Sequence, residues 1–78
     1  MDDITENDVV ALLVDQPDTG LRRGDVGTVV HVFTSSAEHP SGVIVEFMDE
    51  VGTVLAQADI VDTTQIMKLR IRPIREAA

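Results

Sequence analysis

With 78 residues the chain holds a single domain whose core is marginal in size, and no second, catalytic domain fits beside it. The absence of cysteine excludes disulfides and thiolate metal sites, so packing within one copy or shared between copies must supply the stability. The net charge of −8 is unevenly spread: residues 1–62 carry 13 acidic and 2 basic side chains, residues 63–78 carry 1 and 4, and the C-terminal end reads as the basic surface.

The apolar residues are mostly Val, Ile and Leu, with two Phe and neither Trp nor Tyr, a β-branched bias that favours strands. The opening MDDITENDVV is acidic and polar, unlike a secretory leader, and no apolar run approaches the ~20 residues of a membrane span. A cytoplasmic protein is expected. Residues 1–6 and 74–78 read as loosely ordered ends of one domain spanning 1–78. The first apolar run, Asp8 to Asp15, is closed by the loop Gln16-Pro17-Asp18-Thr19-Gly20. Leu21 to Asp25 leads into a second run, Val26 to Thr34, in which Gly24 and Gly27 serve a turn geometry that a Cβ would obstruct. After the polar stretch Ser35 to Gly42 comes a third run, Val43 to Met48. The turn Asp49 to Gly52 then joins it to a fourth run beginning at Thr53. Asp62-Thr63-Thr64 suits the cap of a single 3-10 turn before the last run, Ile66 to Arg72, which Pro73 ends. Five short runs of period two predict an all-β fold: a small antiparallel barrel, closed or nearly so, because closure removes exposed edges. A smaller open sheet completed by a second subunit is the alternative.

The segment Leu21-Arg22-Arg23-Gly24-Asp25-Val26-Gly27-Thr28-Val29-Val30 resembles the strand-turn-strand core of SH3-like barrels, including KOW-type modules. With Val10 to Asp15 upstream and Val45-Glu46-Phe47 and Asp49-Glu50 downstream, the chain more closely resembles a domain-of-unknown-function family of small bacterial SH3-like proteins, the 4926 type, over roughly residues 7–70. The resemblance implies the SH3-like fold and an association with small accessory or antitoxin-like genes. It supplies no catalytic residues. The long basic last run departs from the family pattern.

No constellation of an active site is visible, and the chain reads as no enzyme. The closest carboxylate sets, Asp2-Asp3, Asp49-Glu50 and Asp59 with Asp62, fall in loops and at strand ends, as a solvated surface requires. His31 and His39 are eight residues apart across a loop, too few and too loosely related for a zinc site. Ser35, Ser36 and Ser41 lie in no nucleophile elbow. Gly20, Gly24 and Gly27 lack the Gly-Lys-Ser/Thr element and helix of a phosphate loop, so no cofactor is expected.

Two binding readings remain. Lys68, Arg70 and Arg72 alternate onto one face of the last run, extended by Arg75, and form a basic strip suited to nucleic acid. Six basic side chains, an acid excess and only Phe33 and Phe47 for stacking disfavour that use. The second reading starts from alternation: Val10, Leu12 and Val14 point inward on the first run, Thr28, Val30 and Val32 on the second, and Val43, Val45 and Phe47 on the third. That leaves Val9, Ala11, Leu13, Val29, His31, Phe33, Ile44 and Met48 outside with Glu46, an apolar excess so small a barrel cannot cover. Val9, Leu13, Val29, His31, Phe33, Ile44 and Met48 are therefore the expected protein interface. The expected partner is a second copy or another bacterial protein, and the acidic rim would steer a basic one such as a nuclease-like toxin.

Overall fold

The computed structural model of the protein describes residues 4–36 and 40–70. Five strands follow in order, β1 (Val9–Leu12), β2 (Val26–Phe33), β3 (Gly42–Met48), β4 (Val54–Ile60) and β5 (Ile66–Lys68), with 3-10 turns at Pro17–Thr19 and Thr63–Gln65. They form one antiparallel sheet in the order β4-β3-β2-β1-β5. β2, β3 and β4 are a meander, and the chain then returns to lay β5 against β1. β4 and β5 are the two ends of this ladder.

One face of the sheet is dry. Val10, Leu12, Val29, Val45, Phe47 and Ile60 are essentially inaccessible, yet no helical layer covers them among the described residues. The sheet reaches that burial by curling over its own face, with Leu21 from the β1–β2 loop and Ile66 from β5 joining the same cluster. Each large side chain so buried stabilises the fold by roughly 1.5–3 kcal/mol. β3 shows the cause most simply: Val43, Val45 and Phe47 alternate with the half-buried Ile44, Glu46 and Met48.

The second strand departs from simple alternation. Val29 pairs with Val45 but His31 pairs with Ile44, so β2 carries one extra residue against β3, a β-bulge at Val30. The bulge reverses the phase of the strand. Gly27 and Val29 are buried and Val30 is 40% exposed, so the inward set expected as Thr28, Val30 and Val32 is corrected: only Val32 packs against the core. Val29 is a core residue and no outward anchor. Gly27 sits where β2 and β3 approach closely, and a Cβ there would lie 2.6 Å from the Glu46 carbonyl oxygen. At Gly24 there is open space, but the backbone has φ +96°, a region that favours glycine.

Both outer strands are shorter than their apolar runs. β1 stops at Leu12, and the chain swings away to let Gln16 bridge Leu21, which leaves Val14 exposed rather than inward. β5 ends at Lys68, though the Leu69 amide still donates to the Val9 carbonyl at 2.8 Å. Ile4, within the N-terminal stretch read as loose, packs against the core, and the Thr5 amide donates to the Asp8 carboxylate at 2.8 Å.

Candidate protein-contact surface

The register of the four ladders places the outward side chains in cross-strand rows. One row is apolar from edge to edge: Val54 opposes Met48, Met48 opposes Val26, Val26 opposes Ala11, and Ala11 opposes Met67. Val54 and Met67 are about half exposed, Val26 is more than a third exposed, and Met48 and Ala11 are half-buried. Leu13, two residues beyond Ala11, is also exposed. Directly opposed residues share a face at close range, so the row is a continuous strip rather than scattered contacts.

The neighbouring row is polar. It runs Val9, Thr28, Glu46, Gln57 and separates the strip from a third row of His31, Ile44 and Asp59. The residues expected at an interface are therefore divided. Met48 belongs to the apolar strip, Leu13 is exposed just beyond the end of β1, Val9 lies in the polar row, and His31, Phe33 and Ile44 lie at the far end of β2 and β3. There the His31 and Phe33 rings meet edge to face with centroids 4.5 Å apart, and His31 Nδ1 lies 3.7 Å from Glu6. Val26, Val54 and Met67 carry the strip although the interface expected from sequence omitted them. Their outward position is visible only once the strands are paired.

A separate cleft of about 610 Å³ opens at the far end, bounded by Ile4, Val32, Phe33, Val43 and Thr63, and it shares only Met67 with the strip.

Of the expected basic strip, Lys68 and Arg70 fall among the described residues. Lys68 opposes the buried Val10, so it shares the inner side of the sheet with Ile66, and its ammonium sits 3.4 Å from Asp8. Arg70 is exposed just beyond the strand, whereas Arg72 and Arg75 lie outside the described residues. The Asp8 carboxyl is held below the ordinary carboxylate range, chiefly by the Thr5 amide and further by Lys68, against the opposing effect of desolvation.

The acidic residues prove to be turn braces. Besides Asp8, Asp15 accepts the Arg23 amide, Asp25 the Arg22 amide, Asp49 the Val51 and Thr53 amides, and Asp62 the Thr64 amide. These are the hydrogen bonds by which Asp stabilises turns and caps. Asp62 is the N-cap of the second 3-10 turn and is likewise held below the usual range, first by the Thr64 hydroxyl and then by its amide. No group of three or more His, Asp or Glu among the described residues is placed to hold a metal. His39, Asp2 and Asp3 lie outside the described residues. No helix among the described residues is long and apolar enough to cross a membrane.

The fold and surface thus define a small all-β domain built on one curled antiparallel sheet with an apolar strip across its outer face. The family described as Domain of unknown function (DUF4926) matches residues 6–68, and the chain belongs to that family. Neither a curated protein nor a solved structure matches it.

Proposed function

We propose that the chain is a non-catalytic interaction module, a small cytoplasmic accessory or antitoxin-like protein, that associates with a second copy of itself through the outer face of its sheet. The observation that carries this reading is the apolar row Val54–Met48–Val26–Ala11–Met67, which the chain itself leaves accessible. Contiguous exposed apolar patches rimmed by polar residues mark contact surfaces when they are large enough. The return of β5 to β1 supports an SH3-like barrel. Nucleic-acid binding through the basic strip has weaker support, because Lys68 faces a carboxylate and the overall charge repels a polyanion.

Size-exclusion with light scattering tests the reading. The wild type should show at least twice the 8.5 kDa of one chain. Val26→Asp and Met48→Asp should each weaken association by about 30-fold, the scale of a central interface residue, with an unchanged circular dichroism spectrum. A wild type that elutes as one chain at every concentration removes the proposal, and retention of polynucleotide on a filter at low salt would favour the alternative.

A further inference from the structure

Residues 1–62 contain 13 acidic side chains and only two basic ones, Arg22 and Arg23. Both stand in one braced turn. The Arg22 amide donates to Asp25 and the Arg23 amide to Asp15, each at 2.9 Å; the Asp25 amide returns to the Arg22 carbonyl, and the Gly24 amide is fixed on the Leu12 carbonyl at 2.7 Å. Asp15 and Asp25 thus grip the backbone. Among the described residues neither guanidinium has a carboxylate partner, and both side chains are exposed.

The β3–β4 hairpin offers the opposite charge in the same way. Asp49 is engaged by the Val51 and Thr53 amides, which leaves Glu50 exposed at the tip without an ion pair among the described residues, beside Val51 at 84% exposure. The two loops leave the sheet at one end. Arg22–Asp25 runs into Val26, Asp49–Thr53 joins Met48 to Val54, and Val26 opposes Met48. A hydrogen-bonded dibasic turn and an acidic tip therefore stand at the end of the sheet where the apolar strip crosses it.

We infer that the second copy docks on this end of the sheet by a two-fold contact, with Arg22 and Arg23 of each copy facing Glu50 of the other and the apolar strips closed between them; this rests on the self-association reading above. A two-fold contact needs one patch that is complementary to itself, and a patch carrying both charge signs beside apolar side chains meets that need. With Asp15, Asp25, Asp49 and Glu50 this end is itself net negative, so the attraction rests on direct pairing of Arg22 and Arg23 with Glu50 and not on the net charge of the face. Arginine suits the role because its planar fork binds carboxylates in a fixed geometry.

Charge inversion with sedimentation velocity at low salt tests this. R22E/R23E and E50R should each weaken association by about tenfold or more, and R22E/R23E/E50R should return it to within a few-fold of wild type, because complementary charge is restored. All three positions are exposed, so each variant should keep the wild-type circular dichroism spectrum. Association that ignores the charge variants, or a triple variant as weak as its parents, overturns the inference. A dimer that Met48→Asp dissociates but charge inversion leaves intact overturns this contact alone, whereas a monomeric wild type overturns the self-association reading with it.

Discussion

Aspartate is the residue type whose work differs most from its appearance in the sequence. Fourteen acidic side chains look like a solvated coat, but five of the aspartates close turns on backbone amides. That Asp favours turns is legible from the chain alone; which amide each one takes depends on the turn's geometry, and only Asp62 before two threonines declares its role as a cap. A pH dependence follows. Asp8 and Asp62 have native pKa values depressed by their hydrogen bonds, so their contribution is complete above the ordinary carboxylate pKa and is lost as pH falls through the native value. Urea midpoints should be flat from neutrality down to about pH 5 and fall below about pH 4. Asp8→Asn and Asp62→Asn should lower the plateau and flatten that acid limb. A limb of unchanged steepness in both variants would show that other groups control it.

At the scale of elements, the alternation of β3 and the inward Val10 and Leu12 of β1 were legible because polar or small residues interrupt the apolar ones or the strand is short. The phase of β2 was not. Val29 and Val30 are chemically identical neighbours, and a bulge between two such residues leaves no mark in a hydropathy pattern. The outcome is a sharp contrast between adjacent positions. Val29→Asp buries a charge at a site of zero exposure and should cost on the order of 3–5 kcal/mol, much of a small domain's stability. Val30→Asp should cost about 1 kcal/mol or less. Equal effects in chemical denaturation would remove the bulge from the account. The ends of β1 and β5 were also hidden, since Leu13, Val14 and Leu69 continue the apolar runs past the ladders. The register of the edge strand β4 shifts near Leu55, and such bulges blunt edge-to-edge pairing.

For the whole molecule, the all-β class was legible from the spacing of short runs and the family as a resemblance carried by residues 10–15, 21–30 and 45–50, whereas the apolar strip was not, because it is a property of register. Met67, Ala11, Val26, Met48 and Val54 come from five strands and are adjacent only across ladders. In a chain of 78 residues without cysteine, the proposed burial of such a strip against a second copy would add to a core that is small for independent stability. The proposed association brings this strip against another copy of the chain. Methyl cross-saturation between protonated and deuterated, methyl-labelled copies reads it directly. The methyl signals of Val26, Met48 and Val54 should be attenuated while those of the buried Val29 and Val45 keep their intensity. Uniform transfer, or attenuation confined to Ile44 and its neighbours at the far end of the sheet, would contradict the account.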